Sequence, residues 1–320
     1  MTVPRVLVTG ANGFVGEAVV FKLLVDQAFQ PVAALRGNSR LPGMCPVVKF
    51  DLTQPEQLPD LTDIDVVIHT AARVHVMNDI AAQALDSFRK VNVEGTLRLA
   101  RSAVSSGVKR FIFISSIKVN GEQTSAGQRF RADDLPNPSD AYGVSKFEAE
   151  ESLRELAHET GLEVVIIRPP LVYGPGVKAN FQNMLRWLDR GVPLPLGGIN
   201  NKRSLVSIDN LVSLIITCID HPSASNQVFL AGDGVDLSTS ELLYLLSCSL
   251  GKPSRLIPVP QHILQWVAKL LGRRGIADRL LGSLQIDIEK NQKLLGWMPS
   301  SDMDKTFRRT AKYYQEHTTK

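Results

Sequence analysis

A glycine-rich turn near the N-terminus constrains the fold of this chain more than any other feature. A short run rich in β-branched residues, Val6-Leu7-Val8-Thr9, is followed at once by Gly10-Ala-Asn-Gly13-Phe-Val-Gly16. Apolar residues then recur at helical spacing as far as Leu23. Glycines permit a tight turn with close backbone approach, and the start of the next helix offers unpaired N–H groups to a pyrophosphate. The pattern predicts a dinucleotide-binding strand–turn–helix unit, the alternative being an ordinary glycine-rich turn.

Apolar runs alternate with helical segments through the first half of the chain. Strands are predicted at 32–35, 47–50, 64–69, 111–115 and 164–167, and long helices at 81–106 and 140–159. Strands that alternate with helices form right-handed βαβ units, and continuous apolar runs suit strands buried on both faces of a parallel sheet. The expected fold class is therefore α/β, a Rossmann-type doubly wound parallel sheet.

The residue composition and the length of the predicted elements change after Tyr173. Glycine and proline punctuate 174–198, and the elements that follow are shorter. We therefore expect a cofactor-binding domain at 1–172, which includes the catalytic residues, and a smaller mixed α/β substrate lobe at 173–320. One apolar stripe in this second half, at Ile263, Leu264, Val267, Leu270 and Leu271, fits a membrane-surface helix, although such stripes more often belong to a core or an interface.

Composition excludes several classes of protein. The chain has 320 residues and a net charge of +4. This small excess of basic residues does not indicate a nucleic-acid-binding protein, in which basic residues concentrate in a stripe. Its three cysteines lie far apart and are expected to be free thiols, with no disulfide framework and no metal site. The N-terminal sequence lacks the pattern of a signal peptide, and no apolar run is long enough to span a membrane. We expect a cytoplasmic protein without membrane insertion.

The end of the second predicted strand bears on which dinucleotide is bound. Folds that bind NAD usually place an acid here to hold the ribose 2′-hydroxyl. Residues 31–40 contain no Asp or Glu, but they contain Arg36 and Arg40. A guanidinium suits the 2′-phosphate of NADP because it forms paired, charge-assisted hydrogen bonds. We expect NADP(H) rather than NAD(H), the alternative being that both arginines are solvated turn residues.

Four motifs along the chain match one pattern. They are the GxxGxxG spacing of Gly10–Gly16, Tyr142-Gly-Val-Ser-Lys146, Arg168-Pro-Pro-Leu-Val-Tyr-Gly-Pro-Gly176 and Leu294-Leu-Gly-Trp-Met-Pro299. Together they resemble the extended short-chain dehydrogenase/reductase superfamily, in its NAD-dependent epimerase/dehydratase branch that acts on sugar nucleotides. The resemblance covers nearly the whole chain. It implies a nucleotide-diphosphate sugar as substrate and a homodimer as the assembly.

The resemblance assigns proton transfer to Tyr142, Lys146 and Ser116. Tyr142 and Lys146 lie four residues apart, so both project from one face of a helix. A nearby ammonium and the positive charge of the nicotinamide would lower the pKa of the tyrosine toward neutrality, and such a phenol can exchange a proton with a sugar hydroxyl or carbonyl. The Ser116 hydroxyl would orient the substrate oxygen. The alternative is a helix-face tyrosine beside an unrelated lysine.

Further contacts follow from the same resemblance. In such proteins, residues matching Asp51 and Leu52 contact the adenine, and those matching Ala71 and Ala72 run beside the cofactor. Asn92 matches a helix asparagine that steadies the central strands. The expected cofactor-binding residues are Gly10, Asn12, Gly13, Phe14, Val15, Gly16, Arg36, Arg40, Asp51, Leu52, Ala71, Ala72, Asn92, Ser115, Tyr142, Lys146 and Pro169. The expected substrate-binding residues are Ser116, Lys118, Asn120, Tyr142, Asn180, Arg203 and Arg279.

Two departures from the family pattern bear on the reaction. Sugar-nucleotide 4,6-dehydratases carry Asp-Glu directly after the catalytic Ser/Thr, whereas this chain has Ile117-Lys118, which disfavours dehydration. Asn120 replaces the usual tyrosine. Both Lys118 and Asn120 are therefore expected near the sugar, where Lys118 is either a sugar or phosphate contact or a solvated loop lysine. For Arg203, the alternative to a substrate phosphate is a surface ion pair.

Several activities share such a site. The stretch Ser115–Glu122 resembles bacterial O-antigen reductases of lipopolysaccharide biosynthesis, which convert UDP-4-keto-6-deoxy-N-acetylglucosamine to a UDP-6-deoxy-HexNAc such as UDP-N-acetylquinovosamine. An NADPH-dependent 4-ketoreductase with Tyr142 as proton donor is the leading hypothesis. The alternatives are a UDP-sugar C4-epimerase with bound NAD, an NADPH reductase of a non-nucleotide carbonyl, and a non-catalytic NADP-sensing protein.

Overall fold

The computed structural model describes residues 3–54, 56–74, 81–125, 127–272 and 274–318. The strands are β1 (Arg5–Thr9), β2 (Gln30–Leu35), β3 (Val47–Lys49), β4 (Val66–His69), β5 (Arg110–Ile114), β6 (Glu163–Arg168), β7 (Leu171–Tyr173), β8 (Arg203–Ser207), β9 (Val228–Leu230) and β10 (Asp236–Leu237). The helices are α1 (Phe14–Asp26), α2 (Ala81–Phe88), α3 (Thr96–Ser105), α4 (Ala141–Thr160), α5 (Ala179–Asp189), α6 (Ile208–Asp220), α7 (Thr239–Ser249), α8 (Gln261–Leu270), α9 (Arg274–Leu281), α10 (Glu289–Leu295) and α11 (Met303–Thr318). Short 3₁₀ turns lie at Ile117–Val119 and Pro222–Ala224.

The larger sheet has seven parallel strands in the order β3-β2-β1-β4-β5-β6-β9. The chain runs outward from β1 through β2 and β3, then restarts at β4 on the other side of β1. Helices cover both faces, and every residue of β4 and β5 is buried. The α/β doubly wound fold predicted from the sequence is confirmed. In such sheets ligands bind beyond the carboxyl ends of the strands where the winding reverses, here between β1 and β4.

The seventh strand comes from the second half of the chain. Strand β9 pairs in parallel with β6, and α6 packs against α1 beneath the sheet. One hydrophobic core joins Val8 of β1 to Leu211 of α6 and Phe229 of β9. Residues beyond the expected boundary at 172 thus contribute a strand to the larger sheet, which covers the apolar edge of β6.

A smaller three-stranded sheet, in the order β10-β8-β7, begins the second lobe. Strands β7 and β8 are parallel, and β10 runs antiparallel to β8. Helices α5, α7 and α11 pack beside it around a core that includes Tyr173, Phe181 and Phe307. The tyrosine ring stacks on Phe181 at 6.0 Å and contacts Phe307 at 4.6 Å between centroids.

The cysteines are free thiols, as expected, although only Cys218 is buried. Within the described ranges, no helix has both the length and the apolar character that a membrane crossing would need.

Candidate active site

The turn between β1 and α1 leaves no room for side chains at Gly10 and Gly16. Gly10 adopts a φ of +65°, and a Cβ there would lie 2.9 Å from the Cα of Ala71. A Cβ on Gly16 would lie 2.7 Å from Thr70 Oγ1 and still closer to the carbonyl of Gly10. Gly13 caps α1 without a side chain, so no side-chain oxygen competes for the first-turn N–H groups. The backbone here fits a dinucleotide pyrophosphate placed at the helix N-terminus.

Five other predicted cofactor residues lie in this turn or beside it. Asn12 is exposed, whereas Phe14 and Val15 of the first turn of α1 are half-buried. Ala71 and Ala72 follow β4 directly, and the Ala71 N–H points to Thr9 Oγ1 at 3.4 Å. The structure thus brings the ends of β1 and β4 together beside the glycine turn.

Asp51 and Leu52 lie at the far end of the cofactor edge, after β3. Leu52 is buried, and one oxygen of Asp51 accepts hydrogen bonds from the N–H and hydroxyl of Thr53. Burial alone would raise the pKa of Asp51, but the Thr53 hydrogen bonds and the charges of Arg36 and Lys49 leave this pKa below its ordinary value. The carboxylate is therefore ionised at neutral pH.

The two arginines after β2 have different surroundings. Arg36 is exposed directly beyond the end of β2. The Arg40 guanidinium donates to both oxygens of Glu17, at 2.9 and 3.1 Å, and lies 4.8 Å from the centre of the Phe21 ring. Arg40 is thus held against α1, and a phosphate would have to compete with Glu17 for it.

Asn92 sits on a π-helical turn, Arg89–Gly95, that interrupts the long helix predicted over 81–106. Its side-chain oxygen accepts from the Arg73 N–H at 2.8 Å, and its amide donates to the Arg73 carbonyl at 3.1 Å and to Ser145 Oγ at 3.1 Å. Such widened turns commonly occur at functional positions. Here the side chain ties the segment after β4 to α4, which carries the expected catalytic tyrosine.

The start of α4, which carries Tyr142, packs on the turn that follows Ser116. Asp140 caps α4 by accepting from the Gly143 N–H at 2.7 Å. A Cβ on Gly143 would lie 3.0 Å from the Lys118 carbonyl, so the start of α4 rests directly on the turn that begins at Ser116. Ser116 is half-buried at the end of β5, with its Oγ accepting from the Lys118 N–H at 3.3 Å.

Tyr142 and Lys146 have shifted pKa values in the chain alone. Burial, assisted by the charge of Asp140, raises the pKa of Tyr142 to about 12. Burial lowers the pKa of Lys146 to about 7, although Glu150 opposes the shift. The direction for the tyrosine is opposite to the one expected with a nicotinamide bound, because burial and the charge of Asp140 both disfavour the phenolate. At neutral pH this phenol holds its proton and can donate it.

The Lys146 ammonium lies over an aromatic wall. Its nitrogen is 3.9 Å from the centre of the Phe113 ring, which stacks on His69 at 6.0 Å. His69 bonds to the hydroxyls of Thr9 and Thr96, and burial followed by the charge of Lys146 lowers its pKa to about 3. The histidine therefore stays neutral and packs within the sheet. Lys146 is the residue of this group that can carry a positive charge.

A buried ionic network behind the site was missed by the sequence reasoning. Glu150, fully buried on α4, accepts from Ser115 Oγ at 2.5 Å and from two nitrogens of Arg168 at 2.5 and 2.9 Å. A third nitrogen of Arg168 donates to the Asn120 side-chain oxygen at 3.0 Å. The signal was the spacing of Tyr142, Lys146 and Glu150, which lie on one helix face at four-residue intervals.

Asn120 and Lys118 have protein partners. Asn120 is buried, and both ends of its amide are bonded, the nitrogen to the Arg131 carbonyl at 2.9 Å. Lys118 pairs with Asp140 and with Glu122, at 3.3 Å for the latter. A sugar contact by Asn120 would therefore compete with these two protein partners, and Lys118 is attached to the carboxylate that caps α4.

The predicted phosphate-binding residues lie in the second lobe. Arg203 donates to the carbonyls of Arg279 and Gly282, at 2.8 and 3.1 Å, and burial lowers its pKa. The Arg279 side chain is exposed beside it, and Asn180 is exposed in the first turn of α5. Pro169, directly after β6, is buried and its carbonyl accepts from the Ile117 N–H at 3.0 Å. The Arg203 guanidinium thus contacts the backbone at Arg279, and a phosphate would have to compete with the two carbonyls for it.

Comparison with known proteins agrees with this arrangement. The model of the NAD dependent epimerase/dehydratase family matches residues 6–232. A protein of Vibrio cholerae named UDP-glucose 4-epimerase is 48% identical over 312 residues, covering 97% of this chain and 95% of that protein.

Two solved structures share the fold across the whole chain. The UDP-glucose 4-epimerase of Thermotoga maritima, solved with UDP-glucose, superposes with a TM-score of 0.80 at 24% identity and covers 98% of this chain and 99% of its own. The protein RMD from Pseudomonas aeruginosa, solved with NADPH, gives a TM-score of 0.75 at 23% identity and covers 98% of this chain and 100% of its own.

Proposed function

This chain is a member of the NAD dependent epimerase/dehydratase family, and from that premise we propose that it is an NADPH-dependent 4-ketoreductase of a nucleotide-diphosphate sugar. The proposed reaction converts a UDP-4-keto-6-deoxy-N-acetylhexosamine to the UDP-6-deoxy-HexNAc, such as UDP-N-acetylquinovosamine. The observation that carries the proposal is the end of β2, where Arg36 is exposed and residues 31–40 contain no acid. NADPH serves net reduction, whereas an epimerase returns the hydride it takes.

The proton-transfer residues support the direction of reduction. A bound nicotinamide would supply the hydride for C4 of the sugar, which leaves the protein to supply one proton to the C4 oxygen. The Tyr142 phenol, with its pKa raised to about 12, is protonated at neutral pH and is the proposed donor. Ser116 would donate a hydrogen bond to the same oxygen and stabilise its developing charge. The hydride and the Tyr142 proton together convert the ketone to an alcohol. The tyrosinate that remains then takes a proton from solvent.

Lys146 is proposed to hold the tyrosine and the cofactor ribose in position. Its ammonium is buried over Phe113, and at neutral pH a pKa of about 7 leaves it partly charged. A charged lysine stabilises the tyrosinate that forms when the proton leaves. Arg203 and Arg279 are proposed to bind the diphosphate, because arginine suits phosphate oxygens and the Arg203 side chain reaches the backbone at Arg279.

A UDP-sugar C4-epimerase is the second candidate. It is favoured by the protein of Vibrio cholerae, which carries that name and aligns over nearly the full length of both chains. The same tyrosine would then act first as base and later as acid, and the cofactor would stay bound without net consumption. The two candidates share every residue of the site and differ in whether reductant is consumed.

The deciding experiment measures consumption of reductant. The purified chain would be incubated with UDP-4-keto-6-deoxy-N-acetylglucosamine and NADPH, with loss of NADPH absorbance as the rate and NMR of the product as its identity. Stoichiometric oxidation of NADPH with a C4 alcohol as product is expected. Conversion of UDP-glucose to UDP-galactose without added reductant, and no NADPH oxidation, would make the epimerase the correct assignment.

Tyr142→Phe tests the proton donor in the same assay. Loss of the phenol is expected to lower kcat by about 10²–10⁴-fold, the usual contribution of a positioned acid. Tyr244→Phe is the matched control, because Tyr244 is an exposed tyrosine on α7 and its loss should leave kcat unchanged. Equal rates for Tyr142→Phe and the wild type would refute the mechanism.

Substitutions of the two arginines after β2 test which nicotinamide cofactor is bound. Arg36→Ala is expected to raise the KM for NADPH by about 10–100-fold with little effect on NADH, because a charge-assisted hydrogen bond is worth about 1.5–3 kcal/mol. Arg40→Ala should have a smaller effect, since its guanidinium is bonded to Glu17. A wild-type preference for NADH would contradict the cofactor assignment.

A further inference from the structure

Helix α8 presents an apolar face to solvent. Trp266, Leu270 and Leu271 expose 63%, 66% and 69% of their surface, and Ile263 and Val267 are also exposed. No residue of α8 is buried. Large apolar side chains clustered at helical spacing on a free surface are uncommon and mark interaction sites. The sequence left a core, an interface and a membrane-surface helix open, and the structure leaves four of the five stripe residues exposed, with Leu264 packed inward.

The opposite side of α8 fixes the orientation of this face. Leu264 and Ala268 pack on a small core that contains Ile199, Ala277 and Leu281. The Gln261 side chain donates to the Leu281 carbonyl at 3.2 Å and anchors the start of the helix to α9. The apolar face points outward because the opposite side of α8 packs against the protein.

The sequence around this face is strongly basic. Residues 252–279 contain six Lys or Arg and one Asp, a net charge of +5, whereas the whole chain carries +4. The remaining residues therefore sum to −1. Lys269, on α8 itself, is exposed. The positive balance of the protein is thus concentrated in the segment that carries the apolar face.

We propose that α8 docks this protein onto the surface of an anionic lipid bilayer. A helix with Trp and Leu on one face and basic residues nearby lies in the plane of the interface and is attracted to anionic headgroups. Ten residues of helix span about 15 Å, half of the roughly 30 Å hydrocarbon core. The contact is therefore peripheral, with Trp266 at headgroup level.

A second copy of the chain is the competing occupant of the face. Pairing two copies through α8 about a two-fold axis would bring this same +5 segment against itself. Like charges facing each other oppose association, whereas an anionic surface complements them. The charge therefore favours lipid over self-association.

Vesicle flotation of the full-length chain tests the proposal. Vesicles of phosphatidylglycerol with phosphatidylcholine are expected to bind the protein at low salt, with weaker binding at high salt and on pure phosphatidylcholine. Trp266 fluorescence should shift to shorter wavelength on binding, and Trp266→Phe should abolish most of that shift. Equal or absent binding to both kinds of vesicle would overturn the proposal.

Matched variants distinguish vesicle binding through the apolar face of α8 from non-specific hydrophobic adsorption. Leu270→Ser should weaken vesicle binding about tenfold, because one large apolar side chain no longer enters the interface. Leu135→Ser is the control, since Leu135 is 90% exposed outside this face and its loss should leave binding unchanged. Lys269→Glu should weaken binding at least about fivefold. Circular dichroism and the Tm would establish that each variant is folded.

Sedimentation of the same variants in the absence of lipid tests the competing occupant. The oligomeric state is expected to be the same for the wild type and Leu270→Ser. Dissociation of an oligomer by Leu270→Ser, together with absent vesicle binding by the wild type, would assign the face to self-association and overturn the proposal.

Discussion

At the scale of single residues, burial decides the chemistry of Lys146. Its side chain is 1% exposed, and its nitrogen lies against the Phe113 ring. Removing an ammonium from water disfavours the charged form, which lowers its pKa to about 7. The spacing of Tyr142 and Lys146 predicted that they share a helix face, but spacing carries no information on solvent exposure.

The lowered pKa of Lys146 predicts a pH dependence of stability. Between about pH 7 and the ordinary lysine pKa, the unfolded chain binds more protons at this residue than the folded chain, so stability rises with pH. From about pH 7 to pH 9 the cofactor-free protein should gain about 2 kcal/mol from this group. Urea unfolding at both pH values measures it. Lys146→Met should lose this rise, whereas Lys22→Met, on the exposed side of α1, should retain it.

Glu150 offers a second prediction at this scale. Glu150→Gln leaves the Arg168 guanidinium buried without a carboxylate, and the free energy of unfolding should fall by about 3–5 kcal/mol. The neighbouring Glu151 is exposed and pairs with Arg154, so Glu151→Gln should cost less than about 1 kcal/mol. Denaturant midpoints compare the two. Equal losses would mean that the Glu150–Arg168 pair does not stabilise the sheet.

At the scale of elements, the turn between β1 and α1 is determined by backbone contact. Its glycines are required at Gly10 by a positive φ and at Gly16 by proximity to Thr70 and the Gly10 carbonyl. The sequence predicted the strand, the turn and the helix because their backbone conformation is local, but it did not predict the contacts with Thr70 and Ala71. The π-helical turn at Arg89–Gly95 was not predicted, since it depends on Asn92 reaching a distant backbone segment.

Gly16→Ala tests the turn. The added methyl group has no room, so the dissociation constant for the nicotinamide cofactor should rise at least about tenfold and the Tm should fall, since overpacking costs about 1–3 kcal/mol. Gly275→Ala is the matched control, because nothing lies within 4 Å of a Cβ there and alanine favours the helix that contains it. Cofactor titration by fluorescence and thermal unfolding measure both. Unchanged cofactor affinity in Gly16→Ala would argue against this turn as the binding site.

At the scale of the whole molecule, the two halves of the chain share one core. Strand β9 completes the cofactor sheet, and Phe229 packs with residues of β1 and α6. Separate domains with small interfaces unfold independently, whereas a common core couples them. We therefore expect one cooperative transition, with tryptophan fluorescence and far-UV circular dichroism in coincidence.

Phe229→Ala tests the shared core. Removing this fully buried ring should lower the free energy of unfolding by about 3–5 kcal/mol while the transition stays single. Val228→Ala, at the half-buried neighbouring position, should cost less. Two separated transitions in Phe229→Ala, with the second near the wild-type midpoint, would show that the halves are independent.

The sequence by itself determined what depends on local geometry. The glycine turn, the alternation of strands and helices, and the shared helix face of Tyr142 and Lys146 all follow from backbone conformation and residue period. Tertiary structure alone decided the partners of polar groups: Glu150 with Arg168, Arg40 with Glu17, and Asn120 within the protein. It also decided that β9 closes the sheet and that α8 faces outward. Burial and pairing are set by segments distant in sequence, and a residue's own neighbours along the chain do not encode them.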